Sequence, residues 1–208
     1  AAAWIMVWFL LPETLRQRVP EPVSVASTLR SYRRFLADSG FIIHLGIATC
    51  CLCGLFAWIS SAAFVIQDIY GLSALAFGLA FAVGSSGYMV GTSIAARFVM
   101  RWGSGRTMGF GTVAMAAGGL LMVLLLAFTT YGAIGVIAAV GLYTIGMGMT
   151  LAQAQAGALL PYPDRAGAAS SLLGFVTQTS SAIVGAILGH SLGLTAWPLA
   201  IAMVLAGG

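Results

Sequence analysis

Few side chains in this 208-residue chain can do chemistry, and their spacing excludes most kinds. Cys50, Cys51 and Cys53 form a C-C-x-C cluster inside an apolar segment. A tetrahedral metal site needs further ligands, yet His44 lies about two helical turns away at 3.6 residues per turn and His190 is remote. The cysteines therefore read as small packing residues, and neither a metal nor a redox cofactor is expected. The five carboxylates are Glu13, Glu21, Asp38, Asp68 and Asp164, and none sits at the middle of an apolar run. No Gly-rich loop with Lys and Ser/Thr is present to hold nucleotide phosphates, and lysine is absent altogether. The chain offers no catalytic constellation, and an enzyme is not expected.

The polar groups inside apolar runs are instead neutral. Phe56, Ser60 and Phe64 recur at intervals of four and share one helical face. Tyr88 stands in the next run, Gln153 and Gln178 in later ones. An amide in hydrocarbon must find a hydrogen-bond partner or water. Together these residues suggest a central, partly wet cavity with aromatic walls, suited to a bulky amphiphilic organic molecule. Hydrogen bonding between helices, with no ligand contact, is the competing reading of each. Asp68 falls near the end of its run, where it is hydrated and structural or guards an outer mouth.

Elements that position such groups must lie in a bilayer. Hydrophobic residues make up 60% of the chain and charged ones 7%, against about 25% in soluble domains. With a mean hydropathy of +1.01, the class is an all-α polytopic membrane protein. The net charge of +4 does not imply nucleic acid, because the arginines sit between apolar runs and form no phosphate-tracking patch. Ala1 to Leu11 is too short to span and lacks a basic leader, so it reads as the end of a helix that begins earlier. Residues 12–40 form a polar connection: three prolines break its first part, and Val23 to Asp38 suits a short amphipathic helix in the interfacial layer. Docking on a partner is the alternative for that helix. Six runs follow: Phe41 to Gln67, Leu72 to Met100, Thr107 to Thr129, Gly132 to Leu160, Ala166 to Gly189, and Leu194 onward, ending mid-run. They are too long, and lack the two-residue alternation, for a β-barrel.

All nine arginines fall in alternate connections. Arg16, Arg18, Arg30, Arg33 and Arg34 precede the first full run, Arg97, Arg101 and Arg106 follow the second, and Arg165 follows the fourth. The positive-inside rule makes that side cytoplasmic. Glycines at spacings of three and four, such as Gly84, Gly87 and Gly91, mark helix–helix contacts in lipid, with gating flexibility as the lesser reading.

Three stretches resemble the C-terminal half of a major facilitator superfamily transporter, nearest the Bcr/CflA-type drug:proton antiporters. Leu11-Pro12-Glu13-Thr14-Leu15 is similar to the start of that family's central loop. Ser60 to Ser73 looks like its seventh helix and outer turn, and Ala158 to Gly174 like its tenth-to-eleventh connection. The resemblance implies that 1–11 ends helix six, that 12–40 is the central cytoplasmic loop, and that 41–208 holds helices seven to twelve, the last truncated. Arg97, Arg101, Gly103 and Arg106 resemble a degenerate second copy of the superfamily's signature and imply a gating loop, although Ala96 and Met100 replace its leading glycine and its acid. The implied function is proton-coupled efflux of drugs or small amphiphiles across the bacterial inner membrane. Its partners would be substrate, protons, membrane lipid and a missing N-terminal six-helix half carrying the proton site. A symporter for a sugar or osmolyte shares the fold; a membrane receptor or structural bundle also fits the hydropathy.

The arginine pattern predicts an orientation. Single cysteines at positions 33, 101 and 165, in a background lacking Cys50, Cys51 and Cys53, are expected to stay unlabelled by a membrane-impermeant thiol reagent in intact cells. Cysteines at 68, 131 and 191 are expected to react. Outside labelling of the first three sites overturns this topology.

Overall fold

The computed structural model of the protein describes residues 25–128, 132–191 and 196–207. The expected helix end at 1–11, the proline-rich stretch after it, and the turns around Tyr131 and Leu192 lie outside the described residues. Six helices follow in order: α1 (Val25–Phe35), α2 (Ser39–Ala63), α3 (Ala74–Phe128), α4 (Gly132–Leu159), α5 (Ala166–Ser191) and α6 (Trp197–Gly207). Four of them are long and apolar enough to cross a membrane.

One of the four is two spans. At 1.5 Å per residue, the 55 residues of α3 would reach about 80 Å, far beyond a hydrocarbon core of about 30 Å. The run breaks at Gly103, whose backbone (φ 79°, ψ 167°) is non-helical. That region of conformational space is open only to glycine, so one residue reverses the chain. The sequence places the second run's end near Met100 and the third's start at Thr107; the structure carries helix from both sides to Gly103 and leaves hardly any loop.

Close contacts reveal the order of packing. On the first arm of α3, Gly87 faces the backbone of Gly141, and a methyl there would stand 2.7 Å from the Gly141 carbonyl oxygen. Gly91 faces Ile145 of α4, and Gly148 faces Tyr88 and Thr92. On the second arm, Gly111 meets Gly146, and a methyl at Gly118 would stand 2.7 Å from the Tyr143 amide nitrogen. Numbers rise together along the first arm and run oppositely along the second. The two arms are therefore antiparallel, with α4 between them. α6 covers the second arm at Gly119 and Met203, and α2 crosses α4 where Gly54 receives Tyr143.

The far end of α2 loosens into a π-helical turn, Phe64–Ile69, in which the Tyr70 amide donates to Val65 O at 3.3 Å. Gly71, at φ 63°, then ends the helix, and the Leu72 amide closes onto Ile66 O, the left-handed terminator that glycine favours. Large apolar side chains such as Leu75, Met89, Val113 and Phe128 point outward, as they do where the solvent is lipid.

Glycine positions should divide sharply on substitution. Gly91→Val drives a side chain into the Ile145 backbone and is expected to destabilise by about 1–3 kcal/mol or more. Gly78→Ala and Gly109→Ala meet nothing within 4 Å and should stay within about 0.5 kcal/mol of wild type. Thermal unfolding of the protein in detergent measures both.

Candidate functional site

A cavity of about 460 Å³ opens between α2, the first arm of α3, and α4. Helical spacing puts each wall together: Leu52, Leu55 and Trp58 from α2; Phe81, Ser85 and Tyr88 from α3; Thr144, Met147 and Leu151 from α4. Gly84 forms part of the lining, where a side chain would otherwise stand. Trp58 and Phe81 lie with ring centroids 5.9 Å apart, and Phe77 extends the aromatic row at 4.9 Å from Phe81. The polar side chains of the lining carry neutral hydroxyls, and that of Thr144 donates to Gly141 O at 3.0 Å. Such a surface offers dispersion and aromatic contact with a few orienting hydroxyls. It supplies no charge to hold an ion and no nucleophile–base pair, and among the described residues no cluster of His, Cys, Asp or Glu could hold a metal.

The structure distributes the residues singled out from the sequence. Tyr88 lines this cavity. Ser60, with Phe56 beside it, lies against Gly185 of α5 on another side of α2. Phe64 starts the π-helical turn, and Asp68 is exposed within it. Gln153 lies near the C-terminal end of α4, where its amide oxygen accepts from Ser104 Oγ at 3.0 Å. Gln178, at the midpoint of α5, is exposed on the bundle's outside. Trp58, Phe81 and Met147 escape a search for polar groups. The signal for them was a large aromatic or thioether side chain beside small residues in mid-run.

Arg97, Arg101 and Arg106 flank Gly103, and all are exposed. They stand on helical backbone, so the expected gating loop is a one-residue turn between helix ends. Phe98, Trp102 and Phe110 stack in series across it, with centroids 4.3 and 5.4 Å apart. Ser104 bonds α4 at Gln153, and Gly157, one turn further, faces the His44 ring near the start of α2. The same end holds Arg165 and α1. Every described arginine thus gathers at one end of the bundle.

Polar contacts concentrate there too. Asp38 caps α2 by accepting from the Gly40 amide at 2.8 Å, and Tyr162, after α4, donates its hydroxyl to the same carboxylate. Arg165 donates to Ser31 Oγ at 2.7 Å, while Ser31 donates to Ser27 O. Ser171 spends its proton on Ala168 O, so Tyr32 is the donor in the 2.9 Å bond joining their hydroxyls. Phe35, Phe41 and Tyr162 pack ring to ring beneath. The Tyr162 hydroxyl, then the Gly40 amide, hold the Asp38 carboxyl below the ordinary carboxylate range, and the same bond pushes the Tyr162 phenol up.

A lowered carboxylate pKa stabilises the fold at pH values above the unfolded value and loses that contribution as pH falls through the folded one. Wild-type thermal stability in detergent is therefore expected to hold at neutral pH and decline below about pH 4. Asp38→Asn and Tyr162→Phe should each flatten that decline, and the double variant should add little to either single one. Full additivity would show that the two groups act separately.

Comparison with known proteins agrees with this architecture. A family model described as Major Facilitator Superfamily matches residues 1–186. Among curated proteins the chain is similar to an uncharacterized MFS-type transporter, YdgK, of Bacillus subtilis (strain 168), with 27% identity over 188 residues. The alignment covers 89% of this chain and 46% of that protein, so the chain spans about half the length of its curated relative. Membrane-length helices wedged together through glycine and a family match over most of the chain carry the same conclusion: this multi-pass membrane protein belongs to the Major Facilitator Superfamily.

Proposed function

We propose that the chain is the C-terminal half of a secondary transporter that exports drugs or small amphiphilic organic molecules by alternating access, coupled to proton entry. The observation that supports it most is the cavity walled by Trp58, Phe81, Tyr88 and Met147. Its volume lies within the roughly 300–1,000 Å³ of drug-sized pockets, and its neutral, aromatic and thioether lining suits flat apolar bodies. A sugar symporter would need many more convergent hydrogen-bonding groups than Ser85, Tyr88 and Thr144 provide.

In this reading the cavity is one wall of the path and a second six-helix half supplies the other. Gln178 fits that arrangement. An exposed amide at the centre of a membrane helix faces water or protein rather than lipid, so it belongs on the side that the second half covers. Phe56 and Ser60, on the side of α2 that meets α5, stand off this wall, Phe64 opens the turn that leads to Asp68, and Gln153 ties α4 to the turn at Gly103. The three arginines there hold the cytoplasmic end and change neighbours as the halves rock. Asp68 marks the outer mouth. The proton site is assigned to the other half, because the carboxylates of this chain lie outside the middle of its spans, where desolvation would raise a pKa into a useful range.

Gly84 supplies the test. A methyl at Gly84 meets its nearest neighbours, Val140 and Thr144, at 3.7 and 3.9 Å, ordinary contacts that the backbone tolerates. Gly84→Ala should therefore keep the fold yet narrow the cavity, lowering proton-driven transport of a fluorescent lipophilic cation by about tenfold. Trp58→Ala should shift the range of substrates. Unchanged transport across several amphiphiles in both variants, with normal abundance, removes this cavity from the substrate path.

A further inference from the structure

The surface of α1 divides into three strips, and among the described residues only one of them packs against the rest of the bundle. At 3.6 residues per turn, Ser31 and Phe35 lie on one side, and both are buried against the α4–α5 connection and the start of α2. On the other side, Val25, Leu29 and Leu36 fall within roughly 40° of one another, and they are 87%, 67% and 49% exposed. Arg33, Arg30 and Arg34 follow across the next 100° or so, all exposed. Among the described residues none of the three forms an ion pair with a carboxylate; Asp38, the nearest acid in the sequence, is engaged by Gly40 and Tyr162.

We propose that α1 is an anionic-lipid-binding strap. Its apolar edge, Val25, Leu29 and Leu36, enters the boundary between acyl chains and headgroups, and its basic edge takes the phosphodiesters of anionic lipids. Charge complementarity selects this occupant. A neutral partner would leave three guanidinium groups unpaired beside an apolar strip, whereas a membrane surface accepts apolar contact and positive charge side by side. Position agrees, since α1 sits at the end of the bundle where the described arginines collect, the end that faces the negatively charged leaflet under the positive-inside rule. The docked strip gives the binding a consequence. Tyr32 bonds Ser171 at the start of α5, Ser31 receives Arg165, and Phe35 stacks on Phe41 and Tyr162. A lipid-held α1 therefore anchors the beginnings of α2 and α5 to the membrane surface, and leaflet charge becomes an input to how that end of the bundle moves. This goes beyond the transport reading and does not depend on the substrate.

The experiment uses the intact transporter carrying Leu29→Cys in a background lacking Cys50, Cys51 and Cys53, labelled there with an environment-sensitive fluorophore. It is reconstituted into vesicles of phosphatidylcholine alone or with about one-third phosphatidylglycerol, each containing a chain-brominated quenching lipid. An arginine near an anionic surface strengthens association by about fivefold. Quenching should accordingly be at least about twofold greater with phosphatidylglycerol, and the difference should shrink in high salt. The triple variant Arg30→Gln, Arg33→Gln, Arg34→Gln should quench equally in both vesicles, and intact substrate binding shows that it folds. Quenching that is independent of lipid charge in wild type, or absent in both vesicles because protein covers position 29, overturns the proposal.

Discussion

Association of helices in a bilayer gains nothing from excluding water, so contact must come from backbone proximity and the dispersion it allows. α4 depends on this throughout. It lies between the two arms of α3 because Gly87 and Gly91 on one side, and Gly111 and Gly118 on the other, let its backbone approach to distances that a methyl would forbid. Its own Gly146 and Gly148 return the contact. The rest of the bundle follows from that wedge. With α4 held between the arms, Tyr143 reaches the notch at Gly54, which sets the crossing of α2, and α6 closes on the outer side of the second arm.

The same wedge creates the cavity. Where the first arm of α3 and α2 diverge around α4, large side chains such as Trp58, Phe81 and Met147 cannot fill the angle between three helices, while Gly84 leaves space beneath them. The cavity is a consequence of placing small residues on the packed seams and aromatic ones beside them. Its chemistry is correspondingly plain, with apolar walls and a few hydroxyls, because polar groups deeper in the bundle already bond to helix carbonyls. Thr144, Thr150, Thr177 and Ser181 all donate to a carbonyl three or four residues back. Tyr143 and Ser61 are the buried side chains left without a hydrogen-bond partner among the described residues. Tyr143 stands at the α2–α4 crossing, where an unmet buried hydroxyl costs stability.

Charge is handled at the ends. The arginine-bearing end carries a cap, a carboxylate–phenol bond, two hydroxyl contacts and an aromatic trio, which together join α1 to the entry of α2, the exit of α4 and the start of α5. Among the described residues, the opposite end carries the π-helical turn and glycines of positive φ at Gly71 and Gly132.

The sequence by itself determined the class, the spans, the clustering of arginines in alternate connections, and the glycine spacings that became seams. These are one-dimensional properties, set by hydrocarbon thickness, by the cost of burying charge and by the 3.6-residue repeat. It did not show that Gly103 alone reverses α3, since Gly103, Ser104 and Gly105 all suit a turn and nothing in their order marks which takes the positive φ. Nor did it separate Tyr88, which lines the cavity, from Ser60, which meets Gly185, or from Gln153, which bonds Ser104. Polarity marks a residue as needing a partner, and each of these needed one. Which partner it found depended on the azimuth of its helix and the neighbour across the seam, and those are fixed only when three helices pack at once.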